Sequence, residues 1–192
     1  QSNLNAATKA MNNAIERMTT GYKINRAGDN AAGYSIASNW SVKLSSLDIA
    51  AQNTSMGLDL LSTAEGNYSL INSHFQRIRD LTEQAANGTY GTAALLAIRE
   101  EIVLRLDEID RVAANTEFNG IYLMTKDASD INLQVGIKND INSRITLNAE
   151  LFSEATASVL LNVAKSTFAV DATTSDTAAS QLAVIDKAIS AI

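Results

Sequence analysis

The stretch DNAAGYSIASNWSVKLSSLDIAAQNTSMGLDLLSTAEGNYSLINSHFQRIRDLTEQAAN, Asp29 to Asn87, decides the fold. It contains no proline, and a mostly apolar stripe recurs along it at steps of three and four. The stripe runs through Trp40, Leu44, Leu47, Ala51, Thr54, Leu58 and Leu61, then Ala64, Tyr68, Ile71, Phe75, Ile78, Thr82 and Ala85. That is the period of an α-helix with one buried face. Unbroken, such a helix would run roughly 85 to 90 Å at about 1.5 Å per residue. Asp29 is the expected N-cap and Asn87-Gly88 the expected stop. Between Leu58 and Ala64 two steps of three follow one another. This slip turns the stripe around the rod, so the packing partner is expected to change there.

Working outward, Leu4, Met11, Ile15 and Met18 mark a first helix ending near Gly21, and Tyr22 to Gly28 reads as a connector. On the other side Thr89 to Gly91 is short enough to fold a third helix, from Thr92 to Asn115, back antiparallel to the second. Its core face is Leu95, Ile98, Ile102, Leu106, Ile109 and Val112 or Ala113. Its outer face carries Arg99, Glu100, Glu101, Arg105, Asp107, Glu108, Asp110 and Arg111. After the turn signal Phe118-Asn119-Gly120 the period changes to two. Ile131, Leu133, Val135 and Ile137 alternate with polar or small residues, and Ile145 and Leu147 resume the alternation beyond a turn at Lys138 to Asn142. That predicts a β-hairpin. Ala164 to Thr177, rich in Ser, Thr, Ala and Asp, reads as a loop. A last helix begins near Asp176 with Leu182, Ile185, Ile189 and Ile192 on one face, still repeating where the chain stops. The expected architecture is mainly α with a small β-hairpin, an elongated antiparallel helical bundle. Its parts are a terminal helix and connector (1–28), a rod of two long helices with the hairpin (29–163), and a link with the start of a further rod helix (164–192).

Composition narrows the function. Fifteen basic residues against twenty-one acidic ones give a net charge of −6, which offers nucleic acid no electrostatic footing. No apolar run is long enough to span a bilayer, and the N-terminus shows no cleavable signal peptide. Cysteine is absent and His74 is the single histidine, so neither thiolate chemistry nor an imidazole metal cluster is expected. Asp107, Glu108 and Asp110 point in different directions around a helix and lack a glycine-bearing calcium loop. No nucleophile with a base, phosphate loop or cofactor motif is present, and no enzyme is expected. Apolar seams in excess of their partners point instead to packing against other copies of the chain, and heterologous packing of that kind builds open helical assemblies.

An ordered series of motifs sharpens this reading. Asn3-Leu4-Asn5, Ala14-Ile15-Glu16-Arg17-Met18, Gly21, Ile24-Asn25 and Asp29-Asn30-Ala31-Ala32-Gly33 come first. Gln76-Arg77-Ile78-Arg79-Asp80-Leu81, Asn87-Gly88-Thr89, Glu108-Ile109-Asp110-Arg111-Val112 and Phe118-Asn119-Gly120 follow. Together they resemble bacterial flagellin over roughly residues 1 to 150. The resemblance implies a structural subunit of the flagellar filament, extracellular and exported without a cleavable signal peptide. Its partners would be other flagellin subunits and, before assembly, flagellar export chaperones. Asn30 stands where the family often has a second acidic residue, which leaves the capping role with Asp29. The family's usual residues before Gln1 and its long C-terminal helix pair are not in the chain, so the fragment is expected to stay monomeric while the full-length protein polymerises.

The same resemblance implies a second surface. In flagellins recognised by Toll-like receptor 5, the receptor grips a rod face centred on an arginine, a leucine and a glutamate. The matching positions here are Arg77, Leu81 and Glu101, with Gln84, Ile98 and Arg105 beside them. Without the family, this would read as a solvated helix face or a subunit contact. Leu58, Leu61, Tyr68, Ile71, Phe75, Ile78, Ile102, Leu106 and Ile109 form the expected packing and self-assembly seam. Two rivals stand beside flagellin. A hook-filament junction protein should differ at Phe118-Asn119-Gly120 and Glu108 to Val112, and a non-flagellar coiled-coil module should lack the hairpin.

Overall fold

The computed structural model describes residues 1–152, 154–171 and 174–192, leaving aside the side chains of Glu150, Ala169, Val170, Asp171 and Ser175. Helix α1 spans Ser2–Thr20, α2 Ala31–Ala86 and α3 Thr92–Asn115. Strands β1 (Glu117–Phe118) and β2 (Ile121–Tyr122) form one two-stranded sheet, and β3 (Ile131–Gln134) and β4 (Arg144–Leu147) another. Helices α4 (Ala157–Leu161), α5 (Lys165–Asp171) and α6 (Ser175–Ala191) follow. The mainly helical class with small hairpins is the one the periodicity predicts. The chain divides into two units, residues 1–53 with 134–143, and residues 54–133 with 144–192.

In the first unit, α1 stops at Gly21, whose φ of 73° is the left-handed conformation that lets its N–H return to the Arg17 carbonyl. The connector is then held by Asp29. Its Oδ2 accepts from the Asn25 and Arg26 N–H groups at 3.1 and 3.2 Å, and these bonds hold its carboxyl below the usual range. That support is present above the ordinary aspartate range and is lost as pH falls through the lowered pKa. Asp29 is therefore not the cap of α2. Asn30 is: its Oδ1 accepts from the Gly33 N–H at 3.0 Å and its carbonyl from Tyr34 N–H at 2.9 Å. The carboxylate is drawn back to the connector, and the amide takes the position one residue on. The tip of the second hairpin is fixed by Ser143, whose carbonyl accepts from both Val135 and Gly136 N–H, and by Asn53 Nδ2, which donates to the Gln134 carbonyl at 3.0 Å.

In the second unit, one apolar cluster joins Leu60, Ala64, Ile71, Phe75, Ile78 and Leu81 of α2 to Ile102, Leu106, Ile109 and Val112 of α3. Leu123, Met124, Phe152, Leu161, Phe168 and Ile185 complete it. Tyr68 and Ile98 pack at its margin. Gly57 lets β3 lie on α2, because a Cβ there would sit 2.4 Å from Leu133 Cδ1. Asn119 and Gly120, at φ 51° and 80°, make the tight turn that pairs Phe118 with Ile121.

Several expectations need correction. Trp40, Leu44 and Leu47 lie on the stripe but are exposed, Trp40 by 65%. Leu58 is 62% exposed and Leu61 is also outside the core; Leu60 carries the buried face in their place, and the predicted Ala64 is buried beyond it. A fixed sequence step counts the period but not its phase, and the phase is set by where α3 and the later elements lie. The loop expected over 164–177 is largely helix, α5 and the start of α6; Ala172 and Thr173 lie outside the described residues. Helix α4 and the short sheet of β1 and β2 have no counterpart in the periodicity, being too short to show one.

Two glycines make the packing testable. A Cβ on Gly136 would sit 2.7 Å from Ser143 Cβ and 2.9 Å from its Cα, whereas one on Gly66, inside α2, meets nothing within 4 Å. Gly136→Ala is expected to cost about 1 to 3 kcal/mol, seen as lost hydrogen-exchange protection at the Val135 and Gly136 amides. Gly66→Ala is expected to add up to about 1 kcal/mol of helix stability, seen as a raised midpoint in thermal denaturation.

Candidate functional site

The third helix folds back on the second across Asn87 to Gly91, and the fold-back aligns their charged margins. Arg77 of α2 reaches Glu101 of α3 with two bonds, Nε to Oε1 at 3.1 Å and Nη2 to Oε2 at 3.4 Å. Arg105, one turn along α3, donates to the same Glu101 Oε1 through Nε at 3.4 Å and Nη2 at 3.3 Å. Its Nη1 lies 3.5 Å from His74 Nδ1. The pairs Arg77–Glu101 and His74–Arg105 step outward from the turn together, which is the register of an antiparallel helix pair. Farther along, Glu108 pairs with Arg111, Oε2 to Nε at 2.7 Å. His74, Glu101, Leu104, Arg105 and Glu108 line a shallow surface groove.

Electrostatics follow from these contacts. The Arg77 hydrogen bond, reinforced by Arg105, holds the Glu101 carboxyl below the ordinary glutamate range. The Arg111 hydrogen bond does the same for Glu108. Both contributions are present above the ordinary glutamate range and are lost as pH falls through the lowered values. Partial burial, then the Arg105 charge, lowers the His74 pKa, with Glu108 opposing. The folded chain thus takes up that proton less readily than the unfolded one, and acidification through the ordinary histidine range disfavours the fold.

The structure brings Arg77, Glu101 and Arg105 into one hydrogen-bonded group, each half-exposed. Gln84 is exposed nearer the turn and Ile98 is half-buried. Leu81 is the exception among the six expected surface residues, only 2% exposed and part of the core. It cannot present its side chain to a partner while the helices stay packed. Leu104, 67% exposed and lining the groove, is the aliphatic group at this surface. The periodicity missed it because Leu104 falls off the core face, where a leucine gives no signal. The His74 contact gives no sequence signal either, because its partner Arg105 is distant in sequence.

The acidic run on α3 has a structural use. Lys165 Nζ lies 2.6 Å from Asp107 Oδ1 and 2.8 Å from Asp110 Oδ2, and both bonds raise its pKa. Asp110 Oδ1 also accepts from the Ala157 N–H at 2.9 Å, standing in at the start of α4 for the cap that Thr156 does not supply. Arg79 of α2 similarly reaches Asp186 of α6 at 2.8 Å. These contacts tie the short C-terminal helices to the α2–α3 pair. No group of three or more His, Asp or Glu side chains among the described residues could hold a metal ion.

Residues 1–129 match the family described as the bacterial flagellin N-terminal helical region. The chain is 43% identical over 148 residues to a flagellin of Escherichia coli K12, covering 77% of this chain and 29% of that protein. It is 38% identical over 165 residues to one from Salmonella paratyphi A, covering 86% and 33%, and 39% identical over 140 residues to one from Xenorhabdus nematophila, covering 73% and 45%. It spans less than half the length of each of these relatives. Among solved structures, Bacillus cereus flagellin superposes with a TM-score of 0.58 at 27% identity, over 72% of this chain and 75% of that one.

The Asp110 contacts set a graded expectation. Asp110→Ala removes both a helix cap and a lysine partner and is expected to lower stability by about 1 to 2 kcal/mol. Asp107→Ala loses one exposed ion pair and is expected to stay within about 1 kcal/mol of the parent. Thermal denaturation of the two variants reads the difference.

Proposed function

The chain belongs to the bacterial flagellin family, and from that premise we propose that it is part of a structural subunit of the flagellar filament, self-assembling through apolar helical faces and serving motility. The observation that carries this reading is the unpartnered apolar surface of α1 and the first half of α2. No residue of α1 is buried. Leu4, Met11, Ile15 and Met18 are exposed on it, and Trp40, Val42, Leu44 and Leu47 are exposed on α2. Surface of this extent is costly to leave in water, and copies of the same chain are the partner always at hand. The relatives that match carry the name flagellin, which favours this reading over a hook-filament junction protein. Two β-hairpins weigh against a bare coiled-coil module. On this reading the protein works outside the cell, meets export chaperones on the way, and carries no reaction.

We further propose that the margin of α2 and α3 is the face recognised by Toll-like receptor 5. Arg77, Gln84, Ile98, Glu101 and Arg105 supply it, and exposed Leu104 takes the aliphatic place that buried Leu81 cannot fill. Arginine beside an aliphatic group, preorganised by a two-toothed carboxylate bond, is the kind of pair that anchors interfaces.

Each proposal has its own test. In the filament-forming protein that carries this segment, Leu44→Asp combined with Leu47→Asp is expected to preserve helical circular dichroism and to cut sedimentable filament at least about tenfold. Each leucine buried between subunits is worth roughly 1.5 to 3 kcal/mol. Unchanged filament yield would overturn the assembly reading. For the receptor face, Arg77→Ala or Glu101→Ala is expected to weaken binding of the receptor ectodomain by roughly 1 to 3 kcal/mol with an unchanged melting midpoint. Equal affinity in both variants would remove the assignment.

A further inference from the structure

His74 is outside the proposed receptor face, yet it touches one of that face's residues, Arg105. Arginine only donates hydrogen bonds. With Arg105 Nη1 at 3.5 Å, His74 Nδ1 must therefore be the acceptor, the ring neutral and its proton on Nε2. The geometry points to a positioning role: His74, unprotonated at Nδ1, holds the Arg105 guanidinium in its bridge to Glu101, and protonation of the ring in mildly acidic solution sets that guanidinium loose.

The surroundings give a protonated ring no better place. Along its own helix the nearest charged partner in the bridge is Arg77. From α3 it faces Glu101, Arg105 and Glu108, with Arg111 behind Glu108. Glu101 already accepts from two arginines and Glu108 from a third. A cation at His74 would join three arginines and two carboxylates, a group already net positive in which Glu108 alone favours the charged ring, and its Nδ1–H would meet the donors of Arg105 head on. The contact least supported otherwise is Arg105 to Glu101, at 3.3 and 3.4 Å, while Arg77 keeps its 3.1 Å bond. Arg105 is therefore the group that leaves, and Glu101 is left with Arg77 alone. The functional consequence rests on the receptor reading: a face whose charges are set at neutral pH loses its arrangement when the surroundings acidify. His74 is the single histidine of the chain, so a titration in this range reports on it without overlap from another imidazole.

Two measurements test this separately. In nuclear magnetic resonance, the ring signals of His74 are expected to titrate below the ordinary histidine range, and Arg105→Gln is expected to bring that titration upward. An unchanged His74 titration in Arg105→Gln would overturn the coupling whether or not any receptor binds. In binding, the receptor ectodomain is expected to hold the chain about two- to fivefold more weakly near pH 5.5 than near pH 7.5, the range of an exposed ion pair. His74→Asn, which can accept but not titrate, is expected to lose that part of the pH dependence, and His74→Lys, a fixed cation, to bind weakly at both. A His74→Asn chain that keeps the parent's pH ratio would overturn the control of recognition. A parent chain that binds at neither pH would overturn the receptor reading instead, and the resonance titration would then decide the His74–Arg105 coupling by itself.

Discussion

The packing of Ile71, Phe75, Ile78 and Leu81 against Ile102, Leu106 and Ile109 is the contact on which the second unit depends. Each of these side chains is at most 2% exposed, and burying one is worth roughly 1.5 to 3 kcal/mol. The ion pairs at the margin are worth far less, because Arg77, Glu101 and Arg105 each keep a third or more of the side chain in water. The seam therefore brings the helices together and sets their register, and the charges line its margin. Shifting α3 by one turn would move Glu101 away from Arg77 and place Arg105 opposite a different residue of α2. The same seam creates the charged margin, since only two helices held in this register place the Glu101 carboxylate within reach of arginines from both.

The first unit shows the opposite balance. Its helices carry leucines, methionines and a tryptophan at helical spacing, yet Ala50 is the one buried position between Ala31 and Asn53. Backbone and polar contacts hold its local geometry: Gly21 closing α1, Asp29 tying the connector, Asn30 capping α2, and Ser143 closing the hairpin tip. Polar contacts fix direction but bury little. An amphipathic helix fixed in direction and left unpaired along its apolar face has a defined surface to offer a neighbour. A surface that fits some other part of the same protein propagates from copy to copy without closing, which is the assembly mode the family reading calls for.

The helices were legible because a period of three and four over many turns has few other physical meanings. The α3 core face was read almost residue for residue, and the second hairpin was recoverable from its alternation. What the pattern withheld was phase and long-range pairing. Leu58, Leu60 and Leu61 are all candidates for one buried stripe, and only the position of the partner selects Leu60. Helices as short as α4 and α5 have too few turns to display a period. Their first residues are tied to α3 through Asp110 and Lys165, in contacts that join residues far apart in sequence. At the head of α2, Asp29 and Asn30 both suit a cap, and the choice turns on which one the connector's own N–H groups recruit.

Leu81 and Arg77 show why site residues are harder to read than cores. Four residues apart, they share a stripe of the helix, so anything that places one seems to place the other. Where that stripe coincides with the edge of a packed seam, however, the boundary between core and solvent passes between them. Arg77 can carry its guanidinium outward on a long stem while its methylenes lie along the edge. Leu81 has no polar end to place in water, and the free energy of burial draws it in. A partner that meets this margin therefore meets the arginines, Glu101 and Leu104. If this margin is the receptor face proposed above, Leu81 would act on it only through the packing it helps to fix, so substituting it would disturb the face by loosening the seam, and such a loss of binding would say nothing of direct contact.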